Sequence, residues 1–185
     1  MSKGRVILSK ERFQLTIERL CHQLIEKYDQ FENTCIVGIQ PRGVYFSDRL
    51  HKRLSSILKL RGIEYGKLDI SFFRDDFRQR DKPIKTYSTD LEFLIENKKV
   101  ILVDDVLYTG RTIQAAMSAL QNFGRPEQVE LVALVDRRFN RHLPVQADFV
   151  GITIDSLDEA FVKVEWEETD GEDKILIFPR KLKTH

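Results

Sequence analysis

The stretch that most restricts what this chain can fold into is VILVDDVLYTGRT, Val100 to Thr112. Its first four residues are all apolar. A strand apolar on both faces belongs in a parallel sheet with helices packed on each side. Asp104 and Asp105 follow at once. Adjacent carboxylates repel each other and resist burial, so their position at a strand end must serve some interaction. The loop Val106 to Arg111 then carries Gly110 and leads into a helix near Thr112.

The rest of the chain repeats this alternation. Ser9 and Glu11 suit a helix start, and Phe13, Ile17, Leu20, Leu24 and Tyr28 recur at helical spacing. Thr34 to Ile39 reads as a short buried strand broken by Gln40-Pro41-Arg42-Gly43. Val44 to Leu60 returns to a helical pattern, with Gly62 marking its end. Leu68, Ile70 and Phe72 alternate with Lys67, Asp69 and Ser71, the pattern of a strand with one wetter face. Arg74 to Asp90 is polar and aperiodic, a length at which a loop in a compact domain usually has a function or is disordered. Leu91 to Ile95 suggests another short strand. Ile113 to Phe123 predicts a helix stopped by Gly124-Arg125-Pro126, and Val129 to Val135 a further buried strand. Shorter apolar segments follow at Phe149-Val150, Phe161 to Trp166 and Ile175 to Phe178. The expected class is α/β, with a mostly parallel sheet flanked by helices. In such sheets ligands bind beyond the carboxyl ends of the strands.

At 185 residues the chain suits one domain, spanning residues 1–185. Lys plus Arg is 30 against 29 for Asp plus Glu, a formal charge of +1, so no overall field attracts nucleic acid. No apolar run approaches the ~20 residues of a membrane span. Val6-Ile7-Leu8 is too short for a secretory signal core. Cys21 and Cys35 stand in apolar settings outside any metal-binding spacing, as expected of buried free thiols in a reducing cytoplasm.

A helix N-terminus after Gly110 offers unpaired N–H groups and partial positive charge, and Thr109 and Thr112 add hydroxyls. That suits a phosphate. The carboxylates one step upstream suit sugar hydroxyls and a metal ion bound with them. A ligand with vicinal hydroxyls at one end and a phosphate at the other, such as ribose 5-phosphate, accounts for both halves. Neither a GxxxxGK[ST] loop nor a GxGxxG fingerprint occurs in the chain. The plainer reading is an acid pair solvated at a strand end beside an ordinary turn.

VILVDDVLYTGRT resembles the phosphoribosyl-pyrophosphate signature of the type I phosphoribosyltransferases. GIQPRGVYFSDRL, FFRDD, LVALVDR and LPVQADFVG extend the resemblance toward the PyrR family, pyrimidine-operon attenuation proteins that are also uracil phosphoribosyltransferases. The resemblance implies that Asp104 and Asp105 grip the ribose hydroxyls and, through them or water, Mg²⁺. It implies a 5-phosphate loop at Thr109, Gly110, Arg111 and Thr112, with Val106, Leu107 and Tyr108 lining the nucleotide. Pro41, Arg42 and Gly43 match the pyrophosphate loop, where Gly43 permits close backbone approach and Arg42 supplies bidentate charge. Arg74, Asp75 and Asp76 open a mobile flap, about 74–90, with Arg42 and Arg74 joining the acid pair in catalysis. A small hood from the N-terminal residues and about 137–165 would cover the base, with Asp136, Arg137 and Arg138 lining it.

The implied reaction transfers ribose phosphate from phosphoribosyl pyrophosphate to a nucleobase, uracil first, giving UMP and pyrophosphate. Two features depart from the PyrR pattern. The loop after Asp136-Arg137 is the longer Arg138-Phe139-Asn140-Arg141-His142, and Asp155 follows Gly151 to Ile154 in a manner closer to purine-specific enzymes. A purine substrate is therefore an alternative. Another is an RNA-binding attenuation regulator, or a sensor that binds the ligand without turnover. His22, Arg19 and Arg141 are the RNA-contact candidates, although Glu18 stands one turn before His22 and would repel phosphate. The resemblance also implies a homodimer or larger homo-oligomer. Glu165 to Asp173 reads as acidic and exposed, and Arg180 to His185 as a solvated tail.

Overall fold

The structure is a computed structural model that describes residues 4–59, 62–75, 86–155 and 161–178. The elements run β1 Arg5–Leu8, α1 Lys10–Tyr28, β2 Thr34–Ile39, α2 Gly43–Leu58, β3 Glu64–Leu68, β4 Lys99–Leu107, α3 Arg111–Leu120, β5 Gln128–Arg137, β6 Phe149–Ile154, β7 Phe161–Glu165, α4 Glu167–Asp170 and β8 Lys174–Phe178. Among the described residues, β3-β2-β4-β5-β6 form a parallel five-stranded sheet, and β1-β8-β7 form a separate antiparallel one.

The continuous apolar runs of β2, β4 and β5 have the expected cause. Strand side chains alternate in direction, and both directions lead into core. On one side Ile36, Ile101, Val103, Val132 and Leu134 pack with Phe13, Leu20 and Leu24 of α1 and Phe46, Leu50 and Leu54 of α2. On the other, Val37, Val100, Leu102, Leu131 and Ala133 pack with Ile113, Ala116 and Leu120 of α3. Ser9 sits at the N-cap of α1, but its hydroxyl donates to Glu11 rather than capping an amide. The helix expected to 123 ends at Leu120 and tightens into a 3₁₀ turn over Gln121–Phe123. The left-handed residue that ends α2 is Lys59, three positions before Gly62; Leu60, the expected end, lies outside the described residues.

Two expected strands take another form. The strand at Leu68 to Phe72 lies instead at Glu64–Leu68, paired with β2 from Cys35↔Glu64 to Ile39↔Leu68. It stops there because the Asp69 carboxylate draws the backbone into a turn: it accepts the Ser71 amide at 2.9 Å and hydroxyl at 2.6 Å, and the Tyr87 amide at 2.9 Å. Leu91 to Ile95 is not a strand. It buries Ile95 and packs Leu91 and Phe93 on the core; beside β3 the Leu91 side chain lies against Gly66, and the backbone pairing there is the isolated Lys67↔Asp90 bridge.

The second sheet continues the α1/α2 core rather than forming one of its own. Trp166, wholly buried, follows β7 and packs edge-on against Phe13 at 5.3 Å between centroids, with Tyr45 and Phe46 of α2 beside it. The expected exposure of Glu165 to Asp173 holds only in part. Asp173 is 2% exposed, bonded to Arg49 of α2 and to the Glu167 amide. It closes the β7–β8 turn against the main body.

Candidate active site

The carboxyl ends of β2, β4 and β5 converge at one edge of the parallel sheet. β4 runs farther than its apolar run suggests. Asp104 pairs with Ala133 and Leu107 with Asp136, because β5 is long enough to offer partners. Both carboxylates therefore lie inside the strand and are buried. Burial, reinforced at Asp104 by the charge of its neighbour, holds the Asp104 carboxyl well above the usual carboxylate range. Burial also raises Asp105, opposed by Arg42. Asp104 Oδ1 accepts the Asp105 amide at 2.9 Å.

Pro41-Arg42 joins β2 to α2, and Gly43 is the first residue of that helix. A Cβ on Gly43 would meet the Val103 carbonyl oxygen at 2.7 Å and Asp104 Cα at 3.1 Å. Glycine is thus what lets the start of α2 lie against the acid pair. Arg42 Nε donates to Asp105 Oδ2 at 3.2 Å, and its Nη2 donates to the Val164 carbonyl of β7. One side chain therefore spans both sheets at the site.

Thr109 to Thr112 turns from β4 into α3 with Gly110 at φ +90°, a conformation that favours glycine. The base of the 74–90 segment meets this turn. Arg74 Nη1 reaches Thr112 Oγ1 at 3.5 Å, and Arg111 pairs with the Asp75 carboxylate. The segment after β5 closes the other side. Arg137 lies 3.9 Å from the centre of the Tyr108 ring. Arg141 donates to the Tyr108 carbonyl and to Asp136, while the His142 amide donates to the Thr109 carbonyl at 2.9 Å.

A family model for the phosphoribosyl transferase domain matches residues 6–169. The chain is 40% identical over 182 residues to the bifunctional protein PyrR of Bacillus cereus strain AH820, covering 97% of this chain and 100% of that protein. The same identity and coverage hold for the bifunctional protein PyrR of Bacillus thuringiensis subsp. konkukian. This chain belongs to the phosphoribosyltransferase family, in its PyrR branch. A hypoxanthine phosphoribosyltransferase of Staphylococcus aureus superposes with a TM-score of 0.69 at 26% identity, covering 98% of this chain and 94% of that one. The hypoxanthine phosphoribosyltransferase of Trypanosoma cruzi, 18% identical with a TM-score of 0.71 and coverage of 96% and 97%, shares the fold.

Most residues expected of a phosphoribosyltransferase site thus stand together: Pro41, Arg42, Gly43, Arg74, Asp75, Asp104, Asp105 and Val106 to Thr112. Asp76 and the following residues to 85 lie outside the described residues, as does the tail Arg180 to His185. Of the hood candidates, Asp136 and Arg137 are buried at the end of β5. Arg138 turns outward, forming a two-pronged pair with Asp155 at 2.6 Å for each bond. That pair pulls the Asp155 carboxyl below its usual range.

The RNA candidates do not share one free basic face. His22 is exposed on α1. Arg19 donates to the carbonyls of Gly151 at 2.5 Å and Val150 at 3.2 Å, covering the edge of β6. Arg141 belongs to the β5 end. Two contributors escaped the sequence reading. The Val164 carbonyl is a backbone group with no sequence signature. Asp69, which ties Ser71 to Tyr87, carried a usable signal: an Asp two residues before a Ser favours a side-chain-closed turn.

Proposed function

We propose that this chain transfers the phosphoribosyl group of phosphoribosyl pyrophosphate to uracil, giving UMP and pyrophosphate with Mg²⁺ as cofactor. The observation that carries the phosphoribosyl part is the buried Asp104–Asp105 pair set between two turns, each opening a helix N-terminus. Such termini receive phosphate groups. Choice of uracil rests on the full-length similarity to proteins named PyrR.

In this reading Asp104 and Asp105 accept hydrogen bonds from the ribose 2- and 3-hydroxyls, orienting the sugar. The Thr109–Thr112 turn holds the 5-phosphate, and the start of α2 with Arg42 holds the pyrophosphate. Breaking the C1–O bond sends its electron pair to the leaving pyrophosphate, while a uracil ring nitrogen bonds to C1 and passes its proton to the released pyrophosphate. Arg42 stabilises the charge that develops on the leaving group. For that it must exchange Asp105 and Val164 for phosphate oxygens, so substrate binding redraws the contact between the sheets. Arg74 and Asp75, already against the turn, bring the flap across and exclude water from the electron-poor sugar.

The residues fit Mg²⁺ shared with the substrate. Among the described residues no three His, Cys, Asp or Glu side chains converge into a metal cage. A Mg²⁺ ion is held by one or two carboxylates together with substrate oxygens and water, and Asp104 and Asp105 supply that set. When bound it neutralises the pyrophosphate and competes with the proton that burial favours on the pair.

Pyrophosphate release with Mg²⁺ and phosphoribosyl pyrophosphate, offered uracil, hypoxanthine, guanine, adenine and orotate separately, tests the reading. Turnover with uracil alone is expected. Turnover with a purine transfers the site to purine chemistry, and ligand binding without any turnover makes the chain a sensor.

Regulation through RNA is a second reading, suggested by the PyrR resemblance and favoured by exposed His22. The committed guanidinium of Arg19, and the pairing of Glu18 with Arg53 on the same region, leave that face little unpaired positive charge. Hairpin RNA binding that falls steeply with salt would support it.

A further inference from the structure

The segment after β5 does more than flank the site: we infer that Arg141, with the His142 and Leu143 amides, sets the direction in which the Thr109–Gly110 turn presents its N–H groups. The inference rests on the reading of that turn as the 5-phosphate site.

A trans peptide is planar, with its C=O and N–H pointing opposite ways. The Tyr108 carbonyl is taken by Arg141, so the N–H of Thr109 faces away from the 137–143 segment. The Thr109 carbonyl accepts from the His142 amide at 2.9 Å and the Leu143 amide at 3.2 Å, so the Gly110 N–H faces away as well. Two successive carbonyls that would repel a phosphate are thereby held back, and two donors are turned toward it. The segment also seats the turn by packing. A Cβ on Gly110 would lie 3.3 Å from Leu143 Cβ and 3.4 Å from a Val145 methyl. Arg141 is itself fixed at its other end by the Asp136 carboxylate, which is 13% exposed. Removing the guanidinium would free the Tyr108 carbonyl and leave Asp136 without its cation.

This makes Arg141 a positioning residue for the phosphate and gives the lengthened 138–142 loop a task. It also explains why that arginine does not join His22 and Arg19. Asp136 was expected to line the base. Through Arg141 it is joined to the phosphate turn, so the two ends of the nucleotide product are read by one connected group.

Calorimetric titration of UMP and of pyrophosphate into wild type, R141Q and R141K separates the outcomes. R141Q is expected to bind UMP about tenfold or more weakly, as an unaligned donor set would, with pyrophosphate binding unchanged. R141K keeps the charge beside Asp136 but lacks a fork reaching both acceptors, so an intermediate loss is expected; that variant carries the test if R141Q does not fold. UMP binding equal to wild type in both variants overturns the inference. Equal losses for UMP and pyrophosphate also overturn it, since they mark a support of the whole site. Wild type that binds neither ligand overturns instead the phosphoribosyl reading beneath it.

Discussion

Asp104 and Asp105 place two ionisable groups where water is scarce, and the consequence is a stability that depends on pH. The carboxyl of Asp104 has its folded pKa raised, chiefly by burial and then by Asp105. The unfolded chain releases that proton near the ordinary value of about 3.9. The stabilisation is therefore whole below the ordinary value and is lost as pH rises toward the folded one. Asp104→Asn removes the titration. It is expected to raise the thermal midpoint at neutral pH, by about 2–4 °C for each kcal/mol recovered, while weakening phosphoribosyl pyrophosphate binding. An unchanged midpoint measured calorimetrically at pH 7.5 would contradict the strain placed on this residue. Asp105→Asn should keep its circular dichroism spectrum and lose turnover by about 100-fold or more; near-normal turnover would refute the ribose-clamp role. The pair was legible because its setting is local: an apolar run, two acids and a small-residue turn in thirteen positions. The bond from Arg42 to the Val164 carbonyl was not, because it joins residues far apart in sequence through a backbone atom of a second sheet.

At the scale of elements, the close approach of α2 to β4 decides the shape of the site. Gly43→Ala would press a methyl against the Val103 carbonyl at 2.7 Å and Asp104 Cα at 3.1 Å, both backbone atoms that cannot swing aside. The helix start must shift, at a cost of about 1–3 kcal/mol as for other overpacked sites. Its N–H groups then leave the position proposed for the pyrophosphate. Chemical denaturation and KM for phosphoribosyl pyrophosphate, taken on one preparation, should both move in the unfavourable direction. The parallel strands β2, β4 and β5 were legible because each is apolar on both faces. The false strand at Leu68 to Phe72 shows the limit of alternation: Asp69 offers the backbone a competing set of hydrogen bonds. The short β1 went unread because its pairing with β8 spans nearly the whole chain.

For the whole molecule, the parallel sheet carries the charged site, and the antiparallel sheet is joined to it by the shared α1/α2 core and by a few polar groups. Arg49 is one. It lies 5.1 Å from the Trp166 ring centre and 5.8 Å from that of Phe13, and donates to Asp173 at 2.5 Å and Glu168 at 2.8 Å. Arg49→Met leaves Asp173 buried without its cation, which should lower stability by about 3 kcal/mol in urea unfolding; a change under about 0.5 kcal/mol would mean that the sheets are joined by packing alone. Arg42 is another tie, through the Val164 carbonyl, and in the proposed mechanism it is the one that substrate loosens. The thiols of Cys21 and Cys35, pushed up to about 12 by burial, stay protonated and outside this chemistry. Among the described residues no helix is long and apolar enough to cross a membrane. Formation of UMP from uracil and phosphoribosyl pyrophosphate with Mg²⁺, followed in wild type and Asp105→Asn side by side, tests the central claim most directly. Steady UMP production by wild type and its loss in a folded variant is the result predicted. Equal production by both, or none by wild type, would contradict it.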